Sequence, residues 1–199
     1  MSTPATLLLV RHAPTRATRT FRFPADEPLD GPGCRDAAEL NGLLVADRAV
    51  TSPMVRCRVT AELAGFPQAE VDPDLAELDF GDWSGREVDE VAQAASDRLQ
   101  RWYADPAQAP TGGERLTEMA ARVTAALERQ RCWPDRTAIF THGGPIKVAV
   151  LGALSAPLTA IWRLDVAPCS VTELHSRPDG GWTVTRINVP LNIRARSAA

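Results

Sequence analysis

Apolar residues in this chain fall into two kinds of pattern. The run Thr6-Leu7-Leu8-Leu9-Val10 and the run Thr137-Ala138-Ile139-Phe140-Thr141 do not alternate with polar residues. Each therefore predicts a strand buried on both faces, and Ala49-Val50-Thr51 predicts a shorter one. Elsewhere the apolar positions recur at helical spacing. Ala37, Leu40, Leu43 and Leu44 predict a helix ending near Asp47. Val55, Val59 and Leu63 predict another, started by Ser52-Pro53 and stopped by Gly65. Further helices are expected over Val88 to Tyr103, over Glu114 to Gln130, and from the Gly143-Gly144-Pro145 turn to about Leu154. Val171 to His175 and Trp182 to Ile187 pair as a hairpin around Pro178-Asp179-Gly180-Gly181. Three stretches rich in Pro, Gly and Asp (14–33, 74–85 and 105–113) read as loops. Strands alternating with helices predict a three-layer α/β/α sandwich with a mostly parallel central sheet. In such a sheet, reactive groups sit at the carboxyl ends of strands.

Composition narrows the function. The chain has 199 residues, 44% hydrophobic and 24% charged, which suits one soluble globular domain spanning 1–199. The formal charge of −3 gives no global attraction to nucleic acid or to a membrane surface, so neither is expected as a partner. Any anion must then be met by a local cluster of cations. Lys147 is the only lysine; every other basic residue is arginine, whose planar fork can donate two parallel hydrogen bonds to a phosphate. Cys34, Cys57, Cys132 and Cys169 lack metal-ligand spacing, and no metal or other cofactor is expected. Free thiols in a reducing compartment are the simpler reading. The opening apolar run is interrupted by Arg11 and His12, too soon for a signal peptide. The longest apolar stretch, Val148 to Leu158, is about half the ~20 residues of a membrane span. A cytoplasmic protein is expected.

His12 and His142 each follow directly on one of the two best buried-strand candidates. If those strands are parallel neighbours, both imidazoles emerge into one crevice. A lone histidine at a strand end is usually structural. Two in equivalent positions, one preceded by Arg11 and the other followed by Gly143-Gly144, point instead to a shared site. A helix N-terminus behind a Gly-Gly turn offers free N–H groups to an anion. Taken alone, the same segment reads more readily as a tight strand-to-helix turn; the pairing with Arg11-His12 favours a phosphate site.

With these segments in view, the chain resembles the histidine phosphatase superfamily, the phosphoglycerate mutase-like proteins. Arg11-His12-Ala13-Pro14-Thr15 resembles its Arg-His-Gly signature, and Thr51-Ser52-Pro53-Met54-Val55-Arg56 its T-S-x-x-x-R segment. The segment from Leu75 to Gly85 is similar to its L-x-E-x-x-F-G-x-W-x-G loop, and Thr141-His142-Gly143-Gly144 to its second histidine motif. Gly112-Gly113-Glu114 and Cys169-Ser170-Val171-Thr172 are similar to further landmarks. The resemblance covers roughly residues 5 to 190, with the motifs in the family's order.

The resemblance implies a phosphoglycerate mutase-like fold and a metal-independent phosphomonoesterase working through a phosphohistidine. His12 would be the nucleophile; Arg11, Arg56 and His142 would surround the transferring oxygens; Glu77 would protonate the leaving alcohol. Arg11, Thr18, Arg56, His142 and Gly143 would bind the small phosphorylated substrate. Without the resemblance, Arg56 reads more readily as a solvated surface residue, and nothing separates Glu77 from Asp72, Asp74, Asp79 and Asp82. Two departures stand out: Ala13 replaces the usual glycine, adding a methyl group near the phosphate, and Thr18 replaces a longer polar residue. Phe80 and Trp83 read as loop-packing aromatics, Glu114 as a carboxylate facing a helix dipole, and His175 as structural. Arg16, Arg19 and Arg22 either widen a positive rim or face solvent. The short chain favours the phosphatase branch, with α-ribazole phosphate as the leading substrate. A phosphoglycerate mutase and a non-catalytic phosphate-binding regulator are the alternatives.

Overall fold

The computed structural model describes residues 4–133 and 136–191. In chain order the elements are β1 (Thr6–Arg11), α1 (Arg16–Arg19), α2 (Gly31–Ala38), β2 (Arg48–Thr51), α3 (Val55–Leu63) and β3 (Glu70–Val71). There follow α4 (Val88–Ala94), α5 (Ser96–Ala104), α6 (Leu116–Arg131), β4 (Arg136–Thr141), α7 (Gly143–Ala153), β5 (Ser170–Ser176) and β6 (Trp182–Pro190). The strands form one sheet in the order β3-β2-β4-β1-β5-β6. β3, β2, β4 and β1 are mutually parallel, while β5 runs antiparallel to both β1 and β6.

The unbroken apolar runs have the cause inferred for them. Leu7 and Leu9 of β1 join one core cluster, with Ile139 of β4 and the buried faces of α6 and α7. Leu8 and Val10 join another on the opposite face, with Phe140, Ala37 of α2 and Ala61 of α3. Because successive side chains of a strand point to opposite faces, a strand covered on both must be apolar throughout. The result is the expected three-layer sandwich with a mostly parallel sheet. α2 and α3 follow strands whose chain moves one way across the sheet; α6 follows β3, where the chain moves back, and lies on the other face, as a constant crossover handedness requires.

Several element boundaries differ from the sequence expectation. The helix expected over 37–47 lies earlier, at Gly31–Ala38, inside the stretch read as loop. Asp30 accepts from the Gly33 N–H at 2.6 Å and Pro32 occupies the first turn, so the cap rather than the apolar spacing sets the start. Leu40 and Leu44 still bury their side chains, Leu40 from the turn after α2 and Leu44 from the irregular segment before β2. The expected helix over 88–103 is two, broken at Ala95 (φ −147°, ψ 42°). β3 escaped notice because its two residues are exposed and carry no pattern. Among the described residues, no helix is long and apolar enough to cross a membrane.

Candidate active site

β1 and β4 are neighbours, and their register pairs Arg11 with Thr141 at the last position of each. His12 and His142 therefore leave the sheet side by side: the His12 N–H donates to Thr141 O at 2.9 Å, and the two rings meet edge to face at 5.1 Å. The chain departs from β1 toward one face of the sheet and from β4 toward the other, which opens a crevice between their carboxyl ends.

Both rings are buried, and their surroundings set their protonation. Nδ1 of His12 lies 2.8 Å from Ala13 O, which fixes the proton there and leaves Nε2 with its lone pair. Arg56 Nε donates to that Nε2 at 3.2 Å. Burial first, and then the charges of Arg56 and Arg11, hold the His12 pKa well below 6.5. His142 is lowered in the same way, by burial, then by His12 and the guanidinium groups. Its Nε2 lies 2.8 Å from Ser52 Oγ and 3.3 Å from Cys57 Sγ. Burial pushes the Cys57 thiol up, so it meets the ring as a neutral S–H.

The arginines come from two elements. Arg11, at the end of β1, donates from Nη1 to Val166 O, while its Nε is buried with no hydrogen-bond partner among the described residues. Arg56, in the first turn of α3, is fully buried rather than a surface residue. It donates to Ala25 O at 2.5 Å and from Nη2 to Met54 Sδ at 3.1 Å. Across the crevice, the Glu77 carboxylate accepts from Leu78 N at 3.0 Å and from Gly144 N at 3.4 Å. A Cβ on Gly144 would stand 2.2 Å from Glu77 Oε1, so only glycine lets the acid approach this helix start. Gly143 opens α7 beside it, with no side chain between its backbone and the Arg11 guanidinium.

Arg11, His12, Thr18, Glu77, Gly143 and Gly144 line one end of a cleft of about 400 Å³, whereas Arg56 and His142 are fully buried behind His12 and are not among its lining residues. Thr18 reaches it, but its hydroxyl is already engaged, donating to Thr15 O at 2.7 Å and accepting from Thr15 N at 2.8 Å in the cap of α1. The Ala13 methyl packs into the core cluster beneath β1 instead of facing the cleft. Of the three rim arginines only Arg22 lines the cleft, and it is held by Glu87 and Gly85 O. Trp83 is buried against Phe23 and Trp102, as expected of a packing residue, whereas Phe80 also lines the cleft. His175 pairs with Glu173 on β5 at 2.6 Å.

Three residues at the site were not singled out from the sequence. Ser52 reads as a helix start, yet α3 begins at Val55 and the Ser52 hydroxyl holds His142. Cys57 touches the same ring. Arg122 looks like any helix arginine, but its guanidinium grips Glu114 through two bonds of 2.7 Å and donates to the carbonyls of Asp74, Ala76 and Glu77. Glu114 precedes α6, and so serves Arg122 instead of a helix dipole. Ser52 is visible in the sequence only as part of the T-S-x-x-x-R segment.

The family model of the histidine phosphatase superfamily (branch 1) matches residues 7–190. The chain is 31% identical over 199 residues to a bifunctional protein of Mycobacterium tuberculosis, matching 94% of this chain and 54% of that protein. The chain thus spans about half the length of the first curated relatives it matches. An adenosylcobalamin/alpha-ribazole phosphatase of Salmonella typhimurium is 30% identical over 172 residues, covering 80% of this chain and 85% of the relative. Among solved structures, YhfR of Bacillus stearothermophilus superposes with a TM-score of 0.83 at 27% identity, over 93% of this chain and 97% of the other.

Proposed function

The chain belongs to the histidine phosphatase superfamily, and from that membership we propose that it hydrolyses a small phosphorylated metabolite through a phosphohistidine on His12. One observation carries this reading: the His12 ring is held neutral at the cleft, with its proton on Nδ1 and its Nε2 lone pair accepting from Arg56 Nε, a donor that a phosphoryl oxygen would draw away as Nε2 attacks. In the first step Nε2 attacks phosphorus, the bond to the leaving oxygen breaks, and Glu77 gives its proton to that oxygen. In the second step Glu77 takes a proton from water as the water attacks, the N–P bond breaks, and inorganic phosphate leaves. Negative charge spreads over the transferring oxygens, and Arg11, Arg56, His142 and the N–H of Gly143 meet it without a metal ion. The buried, unpartnered Nε of Arg11 supports this role, since an oxyanion would satisfy it. Thr18 contributes through the placement of the first loop. The leading substrate is α-ribazole phosphate, supported by the relative of that name. The unpaired thiols of Cys34, Cys57, Cys132 and Cys169 support a cytoplasmic setting.

Phosphate release from p-nitrophenyl phosphate in EDTA tests the reading. We expect turnover that His12→Ala abolishes, and a Glu77→Gln variant that retains phosphate binding but turns over more slowly, by about 10²-fold or more. Absence of turnover with any phosphomonoester would favour a phosphate-binding module. Formation of 2-phosphoglycerate from 3-phosphoglycerate and its bisphosphate faster than phosphate release would favour a mutase.

A further inference from the structure

Beyond the phosphate-facing groups the cleft changes character. Its walls there are Phe21, Phe80, Trp102, Leu116, Met119 and Trp162. The Trp162 ring packs against Trp102 at 4.7 Å and Tyr103 at 4.8 Å, and its indole N–H is satisfied by Tyr103 O at 3.0 Å. What it offers the cleft is therefore apolar surface on a fixed support, and it remains 41% exposed. Phe21 is 81% exposed, and its backbone is left-handed (φ 51°). A bulky residue in that conformation is uncommon, and an aromatic ring left in water adds a second unfavourable feature. Both are offset if a ligand covers the ring. Of the charged groups of this region, Arg22 is tied to Glu87 and Gly85 O, and Lys147 is partly buried at the cleft, its pKa lowered by burial first, with Asp165 and Glu77 opposing the shift.

We infer that the leaving group this site accepts is a flat, largely apolar one, held against Trp162 and covered by Phe21. The inference rests on the phosphomonoesterase reading above and names the substrate class for it. A glycerate leaving group would bring a carboxylate and a hydroxyl against the Phe21, Phe80, Trp102 and Trp162 walls, which offer them no partner, and unpaired polar groups are costly to desolvate. An aromatic or alicyclic body exchanges water for apolar contact on both sides.

The test compares 2-(1-naphthyl)ethyl phosphate with ethyl phosphate, whose leaving alcohols are both primary and similarly acidic, so that a rate difference reports binding of the body. We expect kcat/KM at least tenfold higher for the naphthyl ester, and a ratio narrowed roughly threefold to tenfold by Phe21→Ala and by Trp162→Ala. Equal kcat/KM for the two esters, or a ratio that neither substitution moves, overturns the inference. So does a preference for phosphoserine or 3-phosphoglycerate that disappears in Lys147→Met, which would assign the cleft to an anionic leaving group. If neither ester turns over, the matching phosphonates are compared by calorimetry. Tenfold tighter binding of the naphthyl compound then sustains the inference while the catalytic reading fails, and equal affinity overturns the inference.

Discussion

His12 and His142 are kept neutral by burial and by the guanidinium groups beside them, and this links the site to stability. In the unfolded chain both titrate near 6.5; in the folded chain both pKa values lie well below that. Below pH 6.5 the unfolded state binds protons that the folded state refuses. The stability these rings confer is thus complete above 6.5 and is lost as the pH falls from there toward the lowered folded values. Each should cost about 1.4 kcal/mol per pH unit in that window. Denaturant unfolding at pH 7.5, 6.5 and 5.5 should show a loss of less than about 1 kcal/mol across the first step and about 2 kcal/mol across the second, with about half of that remaining in His12→Asn. Equal stability at 6.5 and 5.5 would show that the rings are protonated in the fold. The positions of these two residues were legible because each closes an unbroken apolar run. Arg56 was legible only through the family segment, since burial of an arginine leaves no mark in the local pattern of α3.

Glu77, the proposed acid, sits on a loop, and loops hold their shape only where their backbone groups find partners. Four consecutive carbonyls, those of Asp74, Leu75, Ala76 and Glu77, are each taken by a side chain: Thr141 Oγ1 donates to Leu75 O at 2.7 Å and Arg122 to the other three. Glu114 holds the far side of Arg122, and the loop passes so close to residues 111–113 that a Cβ on Gly113 would stand 2.5 Å from Asp79 O. α6 thereby aims Glu77 at the start of α7. Arg122→Lys keeps the charge but loses the fork, and with it most of these bonds. We expect kcat to fall about tenfold or more with KM little changed, and stability to drop by about 2 kcal/mol. A KM rise at unchanged kcat would mean that the clamp shapes the cleft without aiming the acid. The clamp was hidden from sequence reasoning because its parts, Asp74–Glu77, Glu114 and Arg122, meet only in space. The Gly112-Gly113-Glu114 landmark marked one side of it. The start of α2, by contrast, was misplaced because apolar spacing outweighed the Asp30-Gly31-Pro32 cap.

At the scale of the molecule, four parallel strands bring the ends of β1, β2 and β4 together, so residues far apart in the chain meet at the proposed anion site. The layer order was legible because continuous apolar strands require helices on both faces. The strand order was not, since only the pairing register decides that β4 inserts between β2 and β1. That insertion couples the site to global stability. An oxyanion bridging Arg11 on β1, Arg56 on α3 and the N-terminus of α7 ties together elements from both layers, and can bind only when all are in place. Orthovanadate at about 100 times its dissociation constant should therefore raise the unfolding free energy by about 2.7 kcal/mol. For a chain of this size that corresponds to about 5–11 °C in the midpoint of a single transition followed by calorimetry. Arg11→Gln removes the donor whose Nε has no partner among the described residues, and should abolish most of the shift while leaving the midpoint without vanadate within a few degrees. A vanadate shift of full size in Arg11→Gln would place the anion elsewhere, because no ligand can stabilise a fold through a group that has been removed.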